Sequence, residues 1–205
     1  MTKFAIFDTE TSGLFDFSRP ADAEGQPRLA HLNIILLDEQ MVEEDVIDLY
    51  VKPDGWEMQP DAQAINGLTD EFLDANGTPI AVVLAKYAEI IDQGYALAAY
   101  NAQYDTKVMR GEMRRLGIDD RFEATPNVCI MRACGGLKIQ KADGGRGWPK
   151  LSDCCAHFGI DHNAAHTAGG DTRAALEVFL RLHALGALPD ARVHYAKNRP
   201  DSEAA

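Results

Sequence analysis

Residues 3–14 read Lys3-Phe4-Ala5-Ile6-Phe7-Asp8-Thr9-Glu10-Thr11-Ser12-Gly13-Leu14. The apolar run over 3–9 predicts a buried β-strand, which Thr11, Ser12 and Gly13 bring to an end. Side chains alternate across a strand, so Asp8 and Glu10, two residues apart, project to one face of a sheet at the strand's end. Two neighbouring carboxylates repel, and a structure that keeps both ionised in a partly buried place needs a cation. Oxygen ligands at this spacing suit hard ions, Mg²⁺ or Mn²⁺. Asp-x-Glu also arises by chance in an acidic chain, so the pair acquires meaning only from what surrounds it.

Working outward, residues 29–37 predict a second strand and residues 45–51 a third, stopped by Pro53 and Gly55. The three successive strands predict an antiparallel meander. Residues 15–26, with Pro20, Gly25 and several charges, read as a long loop, and long loops inside compact domains are often functional. A helix follows, with Thr78 as N-cap, Pro79 in the first position and Ile80, Val83, Leu84, Tyr87, Ile90 and Ile91 at helical spacing up to Gly94. Residues 96–100 form a short buried strand, 103–116 a helix ending at Gly117, and 127–131 a fifth strand. Residues 138–150, with Gly144, Gly145, Gly147 and Pro149, read as a basic loop. Helices over 151–158 and 171–185 complete the pattern. One domain is expected over 1–188, with a tail over 189–205 that frays at 199–205.

The chain has 205 residues, 46% hydrophobic and 25% charged, enough to bury one sizeable core. Apolar runs such as residues 34–37 fall far short of the roughly 18 to 20 residues that cross a bilayer, and no signal peptide is legible, so no membrane association is expected. Cys129, Cys134, Cys154 and Cys155 lack the spacing of a zinc site and read as buried reduced thiols in a cytoplasmic setting. The net charge of −12 argues against bulk attraction to nucleic acid. Its distribution is uneven: residues 1–105 carry 5 basic and 20 acidic side chains, whereas residues 107–150 carry 10 basic and 5 acidic. That basic stretch reads either as solvated helix faces or as a surface for a polyanion.

Two further acids belong with the first pair. Asp105 follows Asn101 on the fourth strand's heels and shares a helix face with Met109 and Leu116, which turns it inward, where a carboxylate needs a partner. In His166-Thr167-Ala168-Gly169-Gly170-Asp171, Asp171 opens a helix whose inner stripe is Ala174, Ala175, Val178, Leu182 and Leu185. Asp171 reads equally as an acid favoured by the helix dipole or as a metal ligand. The small residues Ala168, Gly169, Gly170, Ala174 and Ala175 let this helix start approach the sheet, which would let Asp171 meet Asp8, and His166 then reads either as a group above them or as a plain surface imidazole.

Three pieces, 7–14, Tyr100-Asn101-Ala102-Gln103-Tyr104-Asp105 and 166–171, resemble in order and spacing the three motifs of the DEDDh, or DnaQ-like, 3′ to 5′ exonucleases. Ile65-Asn66-Gly67-Leu68-Thr69 resembles that family's short turn before its first long helices, and residues 151–160 its helix before the third motif, so the resemblance covers about residues 3–185. It implies an RNase H-like α/β fold, a mixed five-stranded sheet flanked by helices. It further implies two divalent ions, Mg²⁺ or Mn²⁺, bridged by Asp8, with Glu10 and Asp171 completing one site and Asp105 serving the other. His166 is the implied general base. Thr11, Ser12, Gly13 and Leu14 are implied to hold the terminal nucleotide and Asn101 the scissile strand.

Beyond the motifs, Lys138, Lys141, Arg146 and Lys150 are candidate phosphate contacts, and Phe15, Phe17 and Trp148 candidate stacking surfaces. Single-stranded 3′ ends fit this charge layout, and a polymerase partner or a homo-oligomer is open. The chain departs from the family at Tyr100, where many members have His, at Tyr104, where Phe is usual, and at His31, where an acid is frequent. The loop at 15–28 is also longer. A non-catalytic exonuclease-like module and a small-substrate phosphatase are the rival readings.

Overall fold

The computed structural model describes residues 2–163 and 165–193. Its sheet is built from β1 (Phe4–Thr11), β2 (Leu29–Leu37), β3 (Glu43–Tyr50), β4 (Ala96–Ala99) and β5 (Asn127–Cys129), in the spatial order β3-β2-β1-β4-β5. β1 pairs antiparallel with β2 and parallel with β4, and β2 pairs antiparallel with β3, so the meander expected from the sequence forms. All nine residues of β2 are buried, as a strand covered on both faces requires. The edge strand β3 carries Glu43, Glu44, Asp45 and Asp48, charges that discourage further strand pairing.

Around the sheet lie α1 (Pro60–Asn66), α2 (Asp70–Asn76), α3 (Ile80–Asp92), α4 (Ala102–Arg115), α5 (Ile130–Ala133), α6 (Leu151–Phe158) and α7 (Ala168–Ala184). Each face of the sheet has its own core. Phe7, Leu32 and Ile34 pack with Val83, Leu84 and Tyr87 of α3 and Met109 and Met113 of α4. On the other face Phe4, Ile6, Ile35 and Ala98 pack with Cys154 of α6 and Val178, Phe179 and Leu182 of α7. The Phe4 and Phe179 rings meet edge to face at 4.9 Å. Burying such side chains stabilises by roughly 1.5–3 kcal/mol each, enough to hold α7 against β1. Phe4 and Ile6 set the phase of β1, and its period of two continues that face through Asp8 and Glu10.

Parallel pairing of β1 with β4 covers only Phe4 to Ile6 against Ala96 to Ala98. Residues 8–11 therefore run past the end of β4, and the first turn of α4 fills the space beside them. The crevice at such a change of strand direction is where open α/β sheets bind ligands.

Several sequence-based expectations shift. Thr78 does not cap α3: its N–H donates to the Tyr50 carbonyl and its carbonyl accepts from Lys52, which ties it to the edge of the sheet and leaves Pro79 at the N-cap. The fifth strand stops at Cys129 because residues 130–133 turn into α5. α7 begins at Ala168, three residues before Asp171, because the Thr167 side chain accepts from the Gly170 N–H. Leu116 and Leu185 lie on exposed positions at helix ends, off the inner stripes. Two helices, α1 and α2, flank the turn at residues 66–69, with Thr69 capping α2 through the Phe72 N–H. The tail expected over 189–205 is described only to residue 193, where Arg192 exchanges two backbone hydrogen bonds with Asn127; the frayed end expected at 199–205 lies outside the described residues.

The long loop before β2 is pinned to α4 by Glu112. This buried carboxylate accepts from Arg28 Nε at 2.8 Å, Arg115 Nη1 at 3.0 Å and the Leu29 N–H at 3.0 Å. Gly111 beside it faces the loop backbone so closely that a Cβ would lie 2.6 Å from the Ala21 carbonyl oxygen. Glu112→Ala removes the carboxylate that pairs with both guanidinium groups and with the Leu29 N–H, and the expected loss is about 3–5 kcal/mol in a urea unfolding titration. A change below about 1 kcal/mol counts this cluster as a surface pair instead.

Candidate active site

Asp8 and Glu10 reach the end of the sheet from β1, and α7 brings Asp171 to them. One carboxylate oxygen from each of the three lies within 4.8 Å of the others. The close seating comes from Ala168, Ala174 and Ala175, all buried against the sheet, while Gly169 sits over the Asn33 carboxamide with room for ordinary contact. Asp105 arrives from the other side, on the first turn of α4. Its Oδ1 accepts from the Thr9 N–H at 3.1 Å and the Thr9 hydroxyl at 2.9 Å, so β1 orients it by its own backbone.

The four acids share a pocket of about 300 Å³ with Thr11, Gly13, Leu14, Asn66, Asn101, Tyr104 and His166, and among the described residues no Lys or Arg lines it. Burial pushes the Asp8 carboxyl well above its usual range, with Asp105, Glu10 and Asp171 adding repulsion. Burial, then Asp171, raises Glu10 to about 7, against the opposing hydrogen bond from Asn66. Burial likewise raises Asp105 to about 7, although the Thr9 hydroxyl and N–H favour its charged form. Four converging carboxylates with no Lys or Arg beside them among the described residues are an electrostatically incomplete arrangement. Their all-oxygen donor set fits hard divalent cations.

Of the residues singled out from the sequence, Asp8, Glu10, Thr11, Gly13, Leu14, Asn101, Asp105, His166 and Asp171 come together in this pocket. Leu14 stands out with 79% of its surface exposed, opposite the exposed Ile65 of α1. The Tyr104 hydroxyl lies 2.8 Å from Thr11 Oγ1. Ser12 is not on the pocket surface. It is buried, its Oγ accepts from the Arg28 N–H, and its carbonyl accepts from Gln59, so it closes the long loop.

Lys138, Lys141, Arg146 and Lys150 are also absent from the pocket walls. Lys141 and Arg146 line a separate cavity with Trp148, and Lys141 Nζ is occupied by the Arg146 carbonyl and Asp143. Asp153 ties this loop down by accepting from the Ala142 and Lys150 N–H groups, and Tyr100 fastens it to the sheet through its hydroxyl on the Pro149 carbonyl. Phe15 is core; Phe17 and Trp148 remain half exposed. His31 stacks on Tyr50 at 4.1 Å and contacts Asp48, and burial lowers its pKa.

The sequence reading missed two residues at the site. His162 Nε2 lies 2.5 Å from Asp171 Oδ1, while His166, in a left-handed conformation with φ 66°, gives its backbone N–H to Asp171 Oδ2 at 3.3 Å. Asn66 joins Glu10 and donates to the Thr11 carbonyl. No periodic signal marks His162; only its neighbourhood to the 166–171 motif could have drawn attention to it.

The mixed sheet, its flanking helices and the acids at its central strand define an RNase H-like α/β protein. The chain belongs to the RNase_T exonuclease family, whose model matches residues 5–179, in agreement with the DnaQ-like resemblance of its motifs. It is 29% identical over 182 residues to a DNA polymerase III subunit epsilon-like protein of Rhodobacter capsulatus, spanning 87% of this chain but 23% of that protein. It is 27% identical to the DNA polymerase III subunit epsilon of Treponema pallidum, over 86% of this chain and 74% of the relative. In fold it matches E. coli exonuclease I solved in complex with a dT13 oligonucleotide, with a TM-score of 0.71 and 25% identity, covering 91% of this chain and 43% of that one. Among the described residues no helix is long and apolar enough to cross a membrane.

Proposed function

We propose that this chain hydrolyses phosphodiester bonds of single-stranded DNA or RNA from the 3′ end, releasing nucleoside 5′-monophosphates, with Mg²⁺ or Mn²⁺ held by Asp8, Glu10, Asp105 and Asp171. The observation that carries this reading is the convergence of four carboxylates, three of them desolvated, with no Lys or Arg among the described residues of their pocket, at the end of the central strand of an exonuclease-family fold. A pair of divalent ions supplies positive charge against the phosphate as it reacts and makes the attacking water more acidic.

The chain's own residues do the rest. Asp8, Glu10 and Asp171 form one group of ligands, and Asp105, steered by Thr9, stands apart from it and serves the second ion. Leu14 and Ile65 present apolar surface to the terminal base, and the backbone at Thr11 and Gly13 offers polar groups to its sugar. Asn101 positions the strand. The His166 imidazole takes the proton from the attacking water, and His162 holds Asp171 in its ligand orientation.

The test is incubation with 5′-labelled DNA and RNA oligonucleotides, with Mg²⁺, with Mn²⁺ or with chelator. A ladder shortening from the 3′ end only when metal is present is expected; intact oligonucleotide at every metal concentration sinks the proposal. His166→Ala is expected to slow the reaction by roughly 10² to 10⁴. His162→Ala, acting through Asp171, is expected to lose only about 10- to 100-fold and to recover with excess metal. The reverse order of effects exchanges the two histidines' roles.

A further inference from the structure

A cavity of about 450 Å³ lies on the flank of α4 turned away from the carboxylates, between that helix, the loop before β2 and the segment after β5. Among the described residues its walls carry Lys107, Arg110, Arg114 and Arg132 and no carboxylate. In a chain with 20 basic and 32 acidic residues this reverses the average charge. Arg110 and Arg114 both reach Asp120, with Nε to Oδ2 distances of 3.1 and 2.7 Å, so one carboxylate is divided between two guanidinium groups. Arg132 is exposed and makes no ion pair among the described residues. Lys107 donates to the Asp16 and Arg19 carbonyls at 3.1 and 3.0 Å, and its ammonium lies 4.6 Å from the centre of the half-exposed Phe17 ring.

We propose that this cavity is a second nucleic-acid contact, which holds backbone phosphates of the single strand whose 3′ end occupies the carboxylate pocket. The inference rests on the nuclease reading and adds the course of the strand. The two depressions share the start of α4: Asn101 and Tyr104 line the acidic one, and Gln103 lines the basic one. Phe17 bridges them, its ring 6.1 Å from that of Tyr104. From Lys107 to Arg114 the helix carries basic side chains over about 10 Å, a path suited to a polymer and longer than a single phosphate needs.

Charge supplies the reason for such a path. A polyanion approaching a chain of net charge −12 meets repulsion, and four carboxylates at its destination add to it; a local cationic wall offsets both. The exposed Phe17 face matches a base, which stacks regardless of sequence, whereas an acidic peptide has no such requirement.

Fluorescence anisotropy in chelator, where no cleavage occurs, tests the proposal with a 5′-fluorescein oligothymidylate long enough to leave the acidic pocket and with a thymidine dinucleotide. For the double variant Arg114→Ala, Arg132→Ala the long strand is expected to bind at least about fivefold more weakly, with the log–log salt slope reduced by about 1.4. Arg132→Ala, which breaks no ion pair, is expected to reduce the slope by about 0.7. Lys52→Ala, an exposed cation elsewhere, keeps the wild-type value. Wild-type affinity and slope in both arginine variants overturn this inference alone if metal-dependent shortening of the oligonucleotide persists. If the wild type neither binds nor shortens any strand, the nuclease reading falls with it. Arginine-dependent capture of a polyglutamate peptide, without arginine-dependent binding of oligothymidylate, overturns the proposal in favour of a protein partner.

Discussion

Asp8→Asn is expected to abolish shortening of labelled oligonucleotides, by more than about 10⁴-fold, beyond the loss expected for His166→Ala. The same substitution is expected to raise the melting temperature of the metal-free protein. Asp8 is desolvated and faces Asp105, Glu10 and Asp171, so its ionised form opposes folding. Asparagine keeps the shape and removes one of the converging charges. Relief of about 1–2 kcal/mol corresponds to roughly 2–8 °C for a chain of this size, measured by calorimetry in chelator near pH 8. Lost activity with raised stability separates a functional acid from a structural one. A variant that loses both activity and stability would falsify the assignment of Asp8 as an uncompensated ligand.

The second large effect couples metal, pH and stability. Glu10 and Asp105 hold their protons to about pH 7 in the folded chain, against ordinary values of 4.5 and 3.8. Between those values and pH 7 the folded state therefore binds more protons than the unfolded one. Stability contributed by these two groups falls as pH rises through that window, the opposite of a salt-bridged carboxylate. A divalent cation held as proposed would replace the protons, so its stabilisation is expected to grow with pH. At a metal concentration one hundred times the dissociation constant the gain is about 2.7 kcal/mol, or roughly 5–11 °C. Melting curves at pH 5 and pH 8, with and without metal, are expected to diverge only at the higher pH. An equal metal-induced shift at both sinks the proposed site.

Much of this site is legible in the linear order of residues. Asp8 and Glu10 share a face because a strand repeats every two residues, and the apolar Phe4 and Ile6 ahead of them point that face at a core. Asp105 turns inward because it falls in helical phase with Met109, and Asp171 because it falls in phase with Ala174, Ala175 and Val178; all of these neighbours are buried. The loop at 138–150 was equally visible as a basic stretch, yet charge composition carries no direction. Whether those lysines met the site depended on Asp153 and Tyr100, which tie the loop to α6 and to the sheet instead. Ser12 and Thr78 misled for a related reason: each has the chemistry of a binding or capping residue, and each is consumed by a backbone partner distant in sequence.

Periodicity and turn chemistry are local properties, and they were sufficient to assign the early strands, the helices that carry the acids and the inward direction of Asp105 and Asp171, whereas the mixed sheet was implied by the resemblance of the motifs. Contacts between distant segments obey no local rule. That His162 touches Asp171, that Asn66 touches Glu10 and that residues 17, 107, 114 and 132 surround one basic cavity follow from how α7, α1 and α5 seat against the sheet. Those seatings are set by the packing of whole faces, in which many small apolar contacts decide together where each polar side chain arrives.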